Sequence, residues 1–315
     1  MAINKLFFQK GKKHGIFFTL MSAFLLAILI FTVAITTRQE KQDSTKARIL
    51  SLNSFVKSIE ADMDRGLYIT SFRAVLAMEQ YITQKGAYIG NSKKAFAEAL
   101  LNGTVEGTNM SIMENSTMAD WIKSIQLKSG EADLDVAINI NSVTISQADA
   151  WNLKISMNAT LQANDRKKVA SWNREETVET SLSVIGLEDP VYLIGTSGKL
   201  PNVIALTQYE GNYVAGSDTT NLIAHTNGSF YSNASAPSFL MRLEGNLSAS
   251  PFGMESLVNV PNLQVQGISP ISKSVVDYIY LSNISVTSHR VNNTPSWFYM
   301  DDGNAAKYQV AGMLN

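Results

Sequence analysis

The 315-residue chain contains no cysteine. Disulfide frameworks, thiol nucleophiles and cysteine-ligated zinc are therefore excluded. A eukaryotic ectodomain of this size usually carries disulfides, so their absence points to a prokaryotic surface. Histidine is almost as scarce, with only His14, His225 and His289. None has an acid at ligand spacing, and the H-E-x-x-H pattern of helical zinc sites is missing. His14 lies near the N-terminus, while His225 and His289 read as surface or structural residues. P-loop and dinucleotide-binding fingerprints are missing too. Gly195-Thr196-Ser197-Gly198 lacks the spacing of a serine elbow and reads as a turn. Ser54 and Lys57 satisfy S-x-x-K on a helical stripe that offers no enclosing pocket. Asp301-Asp302-Gly303-Asn304 is the most oxygen-rich turn and the best metal candidate, but it lacks EF-hand spacing and reads as a solvated turn. No catalytic residue, cofactor or metal is expected.

Charge is missing altogether from residues 16–36, a run of 21. As a helix this run would be ~30 Å long, the thickness of a bilayer's hydrocarbon core. Lys5, Lys10, Lys12 and Lys13 precede it without an acid, whereas Arg38, Glu40, Lys41 and Asp43 follow as a mixture. This bias predicts a cytoplasmic N-terminus and an outer location for everything after residue 36. A cleaved secretory signal fits less well, because the run is long and ends Val33-Ala34-Ile35-Thr36 without a small-residue cleavage pattern. Residues 1–15 carry +4 and the remainder −5, a poor electrostatic match for nucleic acid. With 45% hydrophobic and 17% charged residues, the chain is not disordered in bulk.

Nine Asn-x-Ser/Thr sequons begin at Asn102, Asn109, Asn115, Asn158, Asn227, Asn233, Asn246, Asn283 and Asn292. Chance predicts roughly four, and all nine fall on the predicted outer side. They mark either an N-glycosylated surface protein or a Ser/Thr/Asn-rich β-protein that generates sequons by accident.

The period along the chain predicts an α+β fold: an N-terminal transmembrane helix continuing into a helical stalk, then an antiparallel β-rich extracellular head. Residues 1–15 form a basic leader, 16–36 the membrane helix and 37–101 the stalk. In the stalk, Ile49, Leu52, Val56, Ile59 and Met63 recur at steps of three and four. This seam packs either on a second subunit's helix or on the chain's own folded part. Gly66 is expected to interrupt the stalk, with the stripe resuming at Ile69, Phe72 and Leu76. A short helix is expected at 92–101, an exposed linker at 102–117 and another helix from 118 to 127. Alternation of period two then gives three strands, 134–140, 151–161 and 178–184, an antiparallel meander in the region 118–186. The charged segment 164–176 reads as a solvated hairpin tip. The free apolar face of the meander needs a cover, for which the stalk helix is the nearest element. Region 187–315 reads as a β-rich second lobe or a completion of the same sheet. Within it a hairpin is expected at Asn227-Gly228, and short strands at 239–243, 275–281 and 297–300. Trp297-Phe298-Tyr299 reads as a strand pinning the chain end to the core.

Lys12-Lys13-His14-Gly15 followed by Ile16-Phe17-Phe18-Thr19-Leu20 resembles an archaeal type IV pilin leader. His14 stands where the residue before Gly is usually basic, and Leu20 where many pilins carry Glu. Gly186-Leu187-Glu188-Asp189-Pro190, Pro237-Ser238-Phe239-Leu240-Met241-Arg242 and Lys273-Ser274-Val275-Val276-Asp277-Tyr278 are similar to stretches of uncharacterised membrane proteins from small-genome archaea. The chain thus resembles archaeal pilin-like, single-pass surface proteins. The resemblance implies processing between Gly15 and Ile16 and assembly through the apolar helix with itself or with pilin-like partners. The large head argues for a minor, tip or stand-alone component, and the expected role is structural or adhesive, with a head that binds a surface glycan or protein. The alternative is an anchored ectoenzyme, a hydrolase of envelope polymer with carboxylates collected in 187–315.

Overall fold

A computed structural model describes the backbone of residues 13–315 and the surroundings of side chains from Phe18 onward. The fold is α+β, with a long apolar N-terminal helix and antiparallel sheets. Helix α1 spans Lys13–Lys85, 73 residues without a break, or roughly 110 Å at ~1.5 Å per residue. It contains no proline. The expected interruption at Gly66 does not occur, because one interior glycine costs only about 1 kcal/mol against the packing around it. Gly66 instead permits a close crossing: a Cβ there would stand 2.8 Å from the indole of Trp121.

Helix α2 (Ser92–Asn102) follows, capped by Asn91, whose side chain accepts from the Lys94 N–H. The segment expected as a bare linker is built. It forms the two-residue strands β1 (Thr104–Val105) and β2 (Thr108–Asn109) and a 3-10 turn, Ser111–Met113. Val105, Met110 and Met113 are buried. Glu98 ties the hairpin, accepting from Thr104 Oγ1 at 2.6 Å and the Gly107 N–H at 2.7 Å. Helix α3 (Met118–Glu131) opens with a capping box between Thr117 and Asp120, which satisfies N-terminal amides that would otherwise lack partners.

Strands β3 (Leu134–Gln147), β4 (Asn152–Asp165) and β5 (Ser171–Ser183) form an antiparallel sheet in that order. Leu153, Ile155, Met157, Ala159, Leu161 and Ala163 of β4 are buried on one face, and α1 lies across that face. The tip between β4 and β5 is shorter than the charge pattern suggests. Trp172 and Arg174 belong to β5 because α1 supplies them with partners. Trp172 Nε1 donates to Asn53 at 3.2 Å, and Arg174 donates to Glu60 at 2.6 Å. Asp165, expected at a solvated tip, is buried and accepts from Arg48 of α1.

The rest is irregular. All seven prolines lie between Pro190 and Pro295, where they keep elements short. Helices α4 (Pro190–Gly195) and α5 (Thr220–Asn227) precede strand β6 (Tyr231–Ala236). Helix α6 (Phe239–Leu243) lies between β6 and its antiparallel partner β7 (Ser250–Ser256). Helices α7 (Val260–Val265) and α8 (Asp277–Tyr280), the ribbon β8 (Ser288–Arg290) with β9 (Tyr299–Asp301), and α9 (Asp302–Ala305) complete the chain. Region 187–315 is therefore mixed rather than β-rich. Asn227-Gly228 ends a helix instead of turning a hairpin, and the strands expected at 239–243 and 275–281 are helical turns. Apolar runs of about five residues fit a buried turn of helix as well as a strand. The region docks on the end of α1 and on α2: the Ile89 N–H donates to the Leu243 carbonyl at 2.9 Å, and Ser92 donates to Glu244 at 2.7 Å.

Candidate functional site

Two features stand out: an apolar stretch of α1 that packs on none of the described residues, and a buried charged centre. In α1, twelve large apolar side chains between Phe18 and Ile35 are exposed. This is the one helix among the described residues long and apolar enough to cross a membrane. The threonine hydroxyls toward its C-terminal end pair within the helix: Thr32 donates to the Ile28 carbonyl at 2.8 Å and Thr37 to that of Val33 at 2.8 Å. Such internal pairing is what a hydrocarbon environment requires. Gly15 and Ile16 lie on the helical backbone, but their side chains fall outside the described residues.

Of the two partners open to the stripe Ile49–Met63, the structure shows the chain's own folded part. Leu52, Val56, Ile59 and Met63 are buried in the chain's own core, and Ile49 is half-buried at its edge. Beyond Gly66 the buried stripe runs through Leu67, Ala74, Met78 and Ile82, while Ile69 and Phe72 are exposed. The helix thus keeps its buried face across Gly66, and the apolar Ile69 and Phe72 lie off it.

Of the nine sequon asparagines, eight are exposed. Asn158 is half-buried in a cross-strand ladder, accepting from Asn141 at 2.7 Å. Asn102, Asn109 and Asn115 line one open hollow of about 690 Å³. Asn115 also borders a groove of about 340 Å³ with Arg65, Arg73, Asp120 and Trp121.

The charged centre joins three segments that are far apart in the chain, 186–190, 237–242 and 273–278. Asp189 caps α4, Arg242 sits in α6 and Asp277 opens α8; all three side chains are fully buried. Arg242 Nη1 donates to Asp189 at 2.6 Å and to Asp277 at 3.0 Å. Its Nη2 donates to Asp277 and to the Met254 carbonyl, and its Nε to the Pro237 carbonyl at 3.3 Å. Every guanidinium N–H is thus engaged. Tyr231 Oη donates to Asp189 at 2.7 Å, and the Ser256 N–H and hydroxyl donate to Asp277. Burial raises the Asp189 pKa, opposed by Arg242. Burial alone would lower that of Arg242, but the two carboxylates more than reverse this. Sealed and saturated, the centre is a structural clamp. Two of the acids in 187–315, Asp189 and Asp277, are thus committed to this centre. A sequence signal existed: charged residues inside the apolar runs Phe239-Leu240-Met241-Arg242-Leu243 and Val275-Val276-Asp277. Alongside, burial, with Glu188 and Asp189 adding, pushes the Glu79 pKa up to about 8.

The remaining candidates are dispersed. His225 is buried, its Nδ1 2.9 Å from Thr207 Oγ1, and burial, with Lys307 adding, pushes its pKa down to about 3. His289 lies 3.3 Å from Asp302. Asp301 is a buried helix cap that accepts from Ser274 Oγ at 2.6 Å and from Asn304; the oxygen-rich turn is thus not merely solvated. Phe298 is core, flanked by half-buried Trp297 and Tyr299. Ser54 and Lys57 are exposed on α1, and Gly195 ends α4 with Thr196, Ser197 and Gly198 turning after it. No cluster of three or more metal-ligating side chains occurs among the described residues.

These features define an α+β protein with a long exposed apolar helix. No protein-family model matches the chain, and no curated protein or solved structure is similar to it.

Proposed function

We propose that this chain is a membrane-anchored, N-glycosylated, pilin-like extracellular surface protein with a structural or adhesive role. The observation that carries the reading is the exposure of the apolar stretch of α1 on all sides. At about 1.5–3 kcal/mol per large apolar side chain, leaving twelve in water would cost on the order of 20–35 kcal/mol. A bilayer removes that cost. The four lysines before it support a cytoplasmic N-terminus. The exposure of eight sequon asparagines supports glycan addition, and the leader resemblance supports processing at Gly15. With Leu52, Val56, Ile59 and Met63 occupied internally, self-association falls to the membrane segment. The head then presents a glycan or protein partner with an open, hydroxyl-rich surface.

Intact and N-terminal mass spectrometry on the native membrane protein tests this. A start at Ile16 with added glycan mass is expected. A retained Met1 or Ala2 without glycan would remove the pilin-like reading and leave a simple anchored protein.

A further inference from the structure

Strands β6 and β7 pair Tyr231 with Ser256 and Ser232 with Glu255. Neighbouring residues on a strand point to opposite faces. Tyr231 and Ser256 belong to the Arg242 clamp. Ser232 and Glu255 point the other way, into a compartment closed by Tyr213, His225 and Tyr308. All five side chains are buried. The rings interlock, with centroids of Tyr213 and Tyr308 at 5.0 Å, and of Tyr213 and His225 at 5.1 Å.

In this compartment Tyr213 Oη, His225 Nε2, Ser232 Oγ, Glu255 Oε2 and Tyr308 Oη all lack a hydrogen-bond partner. Ser232 reaches toward both tyrosines and Glu255 toward Tyr308 closely enough to interact, but these contacts fall short of full hydrogen-bond geometry. Three other buried side-chain atoms lack partners among the described residues, those of Ser71, Glu79 and Gln80, and all lie on α1. Leaving one buried hydroxyl or carboxylate oxygen unsatisfied is costly, and five together call for a guest.

The charges choose the guest. Lys307 Nζ donates to the other oxygen of Glu255 at 2.8 Å, so the compartment is close to neutral. A metal cation would be repelled by that ammonium and would find only one carboxylate oxygen. An anion would meet that same oxygen. A neutral molecule that both donates and accepts suits an acceptor-only carboxylate, three hydroxyls and an imidazole nitrogen.

We infer that this compartment is an internal binding site for ordered water, bridging Glu255, Tyr308, Ser232, Tyr213 and His225 and so tying the C-terminal segment to β6 and β7. About one or two waters, each making roughly three hydrogen bonds, satisfy the five atoms. The site is independent of the membrane reading.

The test uses the full chain in a mild detergent. A density map finer than about 2 Å should show a peak about 3 Å from at least three of the five atoms. An empty space, or side chains closed directly on one another, would overturn the inference. So would a metal at ~2.0–2.4 Å whose removal by a chelator lowers the melting temperature. Tyr308→Phe and Tyr213→Phe give a second measure. If water bridges the hydroxyls, each variant should melt about 2–4 °C lower. If the site is dry, deleting an unsatisfied hydroxyl leaves the melting temperature unchanged or raises it, and either result refutes the inference.

Discussion

Replacing Glu79 by Gln should change how the stability of this protein depends on pH. Glu79 lies on α1 where α4 docks, 7% exposed, and one of its carboxylate oxygens has no partner. Burial, followed by Glu188 and Asp189, raises its pKa from an ordinary 4.5 to about 8. In the folded protein the group is thus neutral through most of the physiological range, while the unfolded chain ionises it. Unfolding between about pH 4.5 and 8 releases a proton, so the contribution of Glu79 is fully present below pH 4.5 and is lost as pH rises. The slope is about 1.4 kcal/mol per pH unit, or about 3 kcal/mol between pH 5 and 7.5. Glutamine does not titrate. Asp189 and Glu255, also raised by burial, and His225 are shared by both proteins and largely cancel from the difference. Denaturant unfolding in mild detergent, followed by near-ultraviolet circular dichroism, should place the variant's advantage near its minimum at pH 5. It should grow by about 3 kcal/mol by pH 7.5. Parallel curves across that range would refute the reasoning and mean that Glu79 ionises inside the fold.

Arg242→Met should cost about 3–5 kcal/mol, because Asp189 and Asp277 lose their counter-charge while remaining buried; proteolysis should then begin within 187–315, and a stable variant would show that the clamp is replaceable. Gly66→Ala should destabilise by about 1–3 kcal/mol despite its better helix propensity, since the new methyl meets the Trp121 indole; a higher melting temperature would show that α3 shifts freely. His225 stays neutral in the fold down to about pH 3, whereas the unfolded residue binds a proton below about 6.5. Its contribution is therefore present above pH 6.5 and falls by about 1.4 kcal/mol per unit as pH drops toward 3. His225→Gln should flatten that acid limb in urea titrations, and an unchanged limb would count against a neutral buried imidazole.

Legibility divided near residue 187. Before it, long elements with clean periods announced themselves: the apolar run of α1, the stripe from Leu52 to Met63 and the alternation in β4. The stripe's spacing was readable, but its partner was not, because a helix packing on a sheet repeats at the same steps as one packing on a helix. After residue 187, elements of three to eight residues are too short for periodicity to choose between strand and helix. Cap signals were present there. Asp189-Pro190, Asn259-Val260-Pro261 and Asp301 each start a short helix with a side-chain oxygen accepting from a backbone N–H. The clamp was hidden for another reason: positions 189, 242 and 277 meet only in three dimensions.

The β6–β7 pairing also constrains folding. A slip of one residue would turn Glu255 toward Asp189 and Asp277, stacking a third carboxylate against a single guanidinium. Were β6 the strand to slip, Tyr231 would turn away from the aspartate it serves. Sheet register is usually enforced by hydrophobic pattern; here the penalty for error is electrostatic. Gly253 adds a steric stop, since any Cβ there would collide with the Ala236 backbone. Misregistered hairpins of this sequence are therefore rejected by charge and by contact, without needing a continuous apolar face.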